Sequence, residues 1–172
     1  RNLINPGKEP QHNIEFLLFL CAVIRAVDKY APLLRLTAAT PGNDHRLGGC
    51  EAPPSIISIF LGDDLTNLLE AIAQAKTVPQ QLMRFIEVGV QTLPQIKSDN
   101  SDRNRTSPFA FTGNKFEFRM LPSSTSVSFA NTVINTIVAE SLENICNRLD
   151  MSNDIVDEVY EIVKDIVTRH RR

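Results

Sequence analysis

Residues 102–119 read DRNRTSPFAFTGNKFEFR, and the second half of this stretch alternates charge and aromatic with a period of two. On an extended strand that alternation puts Lys115, Glu117 and Arg119 on one face and Phe116 and Phe118 on the other, buried face. Same-face neighbours on a strand lie about 7 Å apart, so three ionic groups line up with room for a charged ligand between them. Arginine offers paired donors to planar carboxylates and phosphates, and a carboxylate among such bases is a natural ligand for a hard divalent cation. The plainer alternative is a surface strand whose polar face is merely wet. In the first half, Arg103 and Arg105 flank Asn104 just before a Ser107-Pro108 turn.

A second ionic cluster lies upstream, in TPGNDHRLGGCEAPP at 40–54. Its glycines permit positive φ and its two closing prolines force an extended exit, so the segment reads as a loop. Asp44, His45, Arg46 and Glu51 fall within it, and loops held by a rigid scaffold are where binding and catalytic groups concentrate. Gly48-Gly49 lacks the rest of a phosphate-binding loop pattern. No serine or cysteine is placed beside Asp44 and His45 as a nucleophile, which sets a triad aside.

The remaining chain supplies the scaffold. Residues 11–36 predict one long helix, apolar nearly all round over IEFLLFLCAVIRAV, with Pro32 kinking or breaking its last turns. A helix so apolar calls for a larger body than this chain alone provides. SIISIFL at 55–61 predicts a buried strand, and Asp63-Asp64 open a helix reaching about Lys76. The segment 78–95 is ambiguous between strand and helix. Residues 128–149 carry a helical stripe, and a second helix restarts after Met151, with Ser152 or Asn153 as its cap.

Composition narrows the function classes. The chain has 172 residues, enough for one sizeable core, and a net charge of −2. That balance argues against a general affinity for nucleic acid or anionic membrane. The longest apolar run, 16–24, is too short to span a bilayer. Cys21, Cys50 and Cys146 are odd in number and form no CxxC, which points to reduced thiols and a cytoplasmic protein. The absence of an initial Met and the helical pattern running into the closing RHRR suggest an excised segment. From the residues alone, the two clusters favour a site for anionic substrates, phosphates and a carboxylate-held cation.

Three motifs in order, GNDHRLGGCEAPPSIISIFLG, DRNRTSPFAFTGNKFEFRM and NTVINTIVAES, resemble glutamine synthetase of the large type III form. The opening residues 2–35 resemble the same family. The likeness covers residues 2–141 and is weaker beyond 149. It implies an α+β fold, the C-terminal part of the catalytic domain over 1–149, with antiparallel strands packed against long helices and a helical segment starting at 150.

The activity it implies is ATP-dependent ligation of ammonium to the glutamate side chain through γ-glutamyl phosphate, with Mg²⁺ or Mn²⁺ and a ring-shaped homo-oligomer. By motif, Arg46 and Arg119 would hold the glutamate substrate, and Glu51 would take a proton from ammonium. Arg105 would neutralise the transferring phosphoryl group, Lys115 would lie near the ATP phosphates, and Glu117 would ligate the metal. A γ-glutamylamine-forming ligase or a non-catalytic assembly module on the same scaffold are the alternatives.

Two departures stand out. SPFAFTG lacks a basic residue that the shorter type I form carries there. The remaining metal carboxylates and the metal-binding histidine would lie before residue 1, so the piece by itself is expected to be inactive.

Overall fold

The computed structural model describes residues 1–49, 52–74 and 107–170, together with the backbone of 85–86 and 96–97. The helices are α1 (Ile14–Lys29), α2 (Ala31–Leu36), α3 (Pro41–Asp44), α4 (Asp63–Ala73), α5 (Ser128–Asp150) and α6 (Ile155–Arg169). The strands are β1 (Ile59–Phe60), β2 (Phe85–Ile86), β3 (Ile96–Lys97), β4 (Phe109–Phe111) and β5 (Phe116–Phe118). This helix-rich α+β arrangement agrees with the expected class in outline.

Helix α1 is the centre of the core. Asn13 caps it by accepting from the Phe16 N–H at 3.1 Å, and its own side-chain amide donates to the carbonyls of Asn5 and Pro6. Phe16, Leu17, Leu20, Cys21, Ala22 and Ala26 are fully shielded from solvent. The cover comes from α5, α6 and the sheet of this same chain, so the larger body expected for so apolar a helix is not required. The single helix expected over 11–36 divides at Tyr30. Pro32 lacks an N–H and its ring would strike the carbonyl four residues back, so α2 starts afresh with that proline in its first turn.

The main sheet has the order β1-β4-β5. β4 and β5 form an antiparallel hairpin with Phe109 opposite Phe118, Ala110 opposite Glu117 and Phe111 opposite Phe116. The turn closes with the Thr112 N–H donating to the Lys115 carbonyl, and Gly113 takes a φ of 85° that a side chain would strain. β1 pairs parallel with β4, so the sheet is mixed and the all-antiparallel expectation is corrected. The physical reason is the long crossover through α4, which returns the chain in the same direction.

The strand expected over 55–61 shrinks to Ile59–Phe60, and Ile56 is 80% exposed. β2 and β3 pair antiparallel, so Phe85–Ile86 of the ambiguous segment 78–95 is strand; the rest of that segment lies outside the described residues. At α6 the cap is Asp154, whose carboxylate accepts from the N–H groups of Val156 and Asp157, in place of the expected Ser152 or Asn153.

Phe109 lies in a ring cluster with Phe116 and Phe118, at centroid distances of 5.3 and 6.0 Å, and Phe111 meets Phe116 edge-on at 5.2 Å. Phe111 also reaches Phe16 of α1 at 6.3 Å. The aromatic side of the hairpin is therefore glued to the core, although Phe116 and Phe118 remain only half-buried. That leaves the ionic side facing outward.

Among the described residues, no helix is long and apolar enough to cross a membrane. Burial pushes the Cys21 thiol up to about 12, whereas Cys146 is exposed. Thiolate is the reactive form, so a mild alkylating reagent should label Cys146 and spare Cys21 until the protein unfolds. Peptide mapping after timed alkylation checks this.

Helix α5 is tied to α1 by Glu140, which accepts from Arg25 at 2.7 Å and from Lys29 at 2.8 Å. Those hydrogen bonds, Arg25 first, hold its carboxyl down at about 2. Because the folded value is depressed, the stabilisation is present above the ordinary glutamate value of about 4.3 and fades as pH falls towards about 2. Glu140→Gln should therefore lower the melting temperature at pH 7. Melting curves of both proteins down to about pH 2 should show that gap closing.

Candidate active site

Three of the predicted groups share one strand face, as the period of two requires. Lys115 Nζ lies 3.3 Å from Glu117 Oε1, and Arg119 Nη2 lies 3.2 Å from Glu117 Oε2. Thr112 Oγ1 adds a third donor at 3.3 Å, from the hairpin turn. Partial burial pushes the Glu117 carboxyl up, but hydrogen bonds from Lys115, Arg119 and Thr112 outweigh it and hold the group below the ordinary carboxylate value. Glu117 is thus an anion at neutral pH.

These contacts are long. Charge-assisted N–H···O bonds usually measure about 2.7–2.9 Å. The ties of Glu140 to Arg25 and Lys29 fall in that range, at 2.7 and 2.8 Å, and those around Glu117 do not. The carboxylate is oriented by its neighbours without being locked into a tight pair, and its side chain keeps 37% exposure. Lys115 is the most open of the three, while Arg119 is largely covered, with 13% exposure. The backbone N–H of Arg119 donates to the Pro108 carbonyl at 2.8 Å, extending the hairpin ladder to its stem.

The second cluster is built from a helical turn where composition suggested only loop. Thr40 caps α3, accepting from the Asn43 N–H, and Pro41 occupies its first turn, a sequence signal that the loop reading passed over. The turn delivers Arg46 to the end of β5. Arg46 Nη2 donates to the Met120 carbonyl at 2.9 Å, one residue beyond Arg119. Beyond Arg46 the chain doubles back, with the Gly48 N–H donating to the Pro53 carbonyl at 3.0 Å. Asp44, flagged as a titratable loop residue, is occupied by a structural tie to Arg35 at 2.6 Å.

Two motifs far apart in sequence thus converge, placing Arg46 beside the strand that carries Lys115, Glu117 and Arg119. Glu51 and Arg105, the two predicted catalytic residues, lie outside the described residues. Sequence reasoning missed Thr112 and Asn43. Asn43 stands three residues before Arg46, at a helical spacing that brings side chains together, but spacing alone does not single it out.

Both Glu117 oxygens already accept from neighbouring donors, but through long contacts, and such a carboxylate can serve a hard divalent cation as one oxygen ligand. Among the described residues, no group of three His, Cys, Asp or Glu side chains forms a complete metal set. By itself Glu117 could supply one oxygen ligand to such a cation. The arrangement as a whole presents fixed cations and one ionised carboxylate to an anionic ligand, the chemistry of phosphate and carboxylate recognition.

No protein-family profile matches the chain. Individual proteins do. Over 175 aligned residues the chain is 47% identical to a type-3 glutamine synthetase of Dictyostelium discoideum, covering 99% of this chain and 24% of that protein. A glutamine synthetase of Butyrivibrio fibrisolvens is 57% identical over 116 residues, 67% of this chain and 16% of its own length. One from Bacteroides fragilis is 44% identical over 153 residues, 87% of this chain and 21% of its own length. The chain spans no more than 24% of the length of these curated relatives.

Proposed function

Because this chain belongs to the glutamine synthetase family, we propose that the protein carrying it joins ammonium to the side-chain carboxylate of glutamate at the expense of ATP. The observation that supports this reading is that Arg46 donates to the Met120 carbonyl, just past the strand that carries Lys115, Glu117 and Arg119.

In the proposed reaction a glutamate side-chain oxygen attacks the γ-phosphorus of ATP, releasing ADP and leaving γ-glutamyl phosphate. Ammonia then attacks the acyl carbon and expels phosphate. Arg46 and Arg119 hold the glutamate substrate. Lys115 faces the ATP phosphates, and Arg105 balances charge on the transferring phosphoryl group, the kind of fixed cation on which phosphoryl transfer depends. Glu51 takes the proton that ammonium must lose. Glu117 would be a ligand of Mg²⁺ or Mn²⁺, which when bound supplies charge neutralisation at the phosphate oxygens. The chain taken alone should be inactive, since Glu51 and Glu117 are too few carboxylates for two metal sites. The whole protein is read as a cytoplasmic homo-oligomeric ring.

The test is glutamine formation by the full-length protein, compared with Arg46→Gln. Losing a substrate clamp that acts in ground and transition states alike should raise KM for glutamate by about 10- to 100-fold, with kcat and the KM for ATP little changed. A purified, folded wild type that forms no glutamine from glutamate, ammonium and ATP would overturn the reading.

A further inference from the structure

We propose that Asn43 is the positioning residue of the glutamate clamp, acting through Arg46; the inference rests on the reading of Arg46 given above. Asn43 is 1% exposed, an unusual place for a polar side chain unless its hydrogen bonds are met. All of its side-chain capacity is directed. Its amide Nδ2 donates to the Ala38 carbonyl at 2.7 Å and to the Met120 carbonyl at 2.8 Å. Its Oδ1 accepts from Arg46 Nε at 3.1 Å and from Arg46 Nη2 at 2.9 Å. The two carbonyl acceptors and the guanidinium donors leave only one orientation for the amide.

The consequence for Arg46 is geometric. Asn43 and the Met120 carbonyl grip the Nε and Nη2 edge of the guanidinium. Nη1 makes no hydrogen bond among the described residues and is left for a ligand. The side chain that supports this arginine is neutral. A carboxylate at the same position would also accept from Nε and Nη2, but it would pair with the guanidinium and spend its charge locally. An amide fixes the direction of the cation and leaves its charge available to a substrate carboxylate. The Nδ2 bonds serve the same end, because they tie α3 to the exit of β5 and hold the two motifs in register. The Arg35–Asp44 pair adds a further tie to the same turn.

The experiment is a double-mutant cycle in the full-length protein, reading KM for glutamate and for ATP in Asn43→Ala, Asn43→Asp, Arg46→Gln and Asn43→Ala/Arg46→Gln. Removing a hydrogen bond to a charged group corresponds to about a 10- to 100-fold effect. Asn43→Ala should raise KM for glutamate by that factor and leave KM for ATP unchanged. Asn43→Asp, although isosteric, should raise it at least as much. In the Arg46→Gln background Asn43→Ala should add little to KM for glutamate, because the clamp it positions is already gone.

An unchanged KM for glutamate in both folded Asn43 variants overturns the proposal, as does an equal rise for ATP or an undiminished effect in the Arg46→Gln background. Failure of both Asn43 variants to fold assigns the residue to the scaffold and overturns it too. If Arg46→Gln itself leaves KM for glutamate unchanged in an active enzyme, the clamp reading falls and takes this inference with it. If only the Asn43 effect is missing, the clamp reading stands.

Discussion

Glu117→Gln should lower kcat for glutamine formation by about a thousandfold or more, the scale seen when a charge-stabilising group is removed from a reacting centre. The substitution keeps the shape of the side chain and an acceptor oxygen, so the aromatic side of β5 and its pairing with β4 should survive. What it removes is the negative charge. That charge sits between Lys115 at 3.3 Å and Arg119 at 3.2 Å. Without it the face carries two uncompensated cations where a third, divalent one is proposed to bind. Metal affinity and chemistry should fail together. Steady-state kinetics across a series of Mg²⁺ or Mn²⁺ concentrations checks this. The expected signature is a loss that added metal recovers poorly, with the circular dichroism of the wild type retained.

Arg119→Lys should lower kcat/KM for glutamate by about a hundredfold while keeping the charge. The guanidinium is largely covered, with 13% exposure, and both Nε and Nη2 reach Glu117 Oε2, at 3.3 and 3.2 Å. A lysine ammonium has the same charge but no planar fork, so it cannot orient Glu117 and meet a carboxylate substrate with paired donors at once. Initial rates at subsaturating glutamate measure the effect directly. A variant within twofold of wild type would mean that charge alone matters at this position.

The difference between what could be read from residues and what could not has a physical pattern. The alternation in KFEFR was legible because a strand has only two faces, and with both rings on the core the charges must share the other. The long helices were legible for the same kind of reason, since their stripes repeat with the helical period. The run SIISIFL misled because β-branched and aromatic residues report a preference for extended backbone and say nothing of partners. Among the described residues, only Ile59 and Phe60 of this run find one, in β4, and Ile56 is left 80% exposed.

Pro32 marked a break without stating where it would fall. The cap of α6 went to Asp154 over Ser152 and Asn153, a one-residue choice among three competent side chains. Within 40–54, the Thr40-Pro41 helix start was overridden by the surrounding glycines. Asn43 was beyond reach, because its importance lies in reaching the Met120 carbonyl, 77 residues away in sequence.

In the proposed reaction ATP activates the glutamate side chain by direct phosphoryl transfer to its oxygen. The measurement that meets this step most directly uses glutamate labelled with ¹⁸O in the side-chain carboxylate, incubated with ammonium, ATP, Mg²⁺ and the full-length protein. Passage through γ-glutamyl phosphate requires the attacking oxygen to leave on phosphorus, so the phosphate released with glutamine should carry ¹⁸O. Glutamine formed alongside phosphate free of the label would rule out passage through γ-glutamyl phosphate.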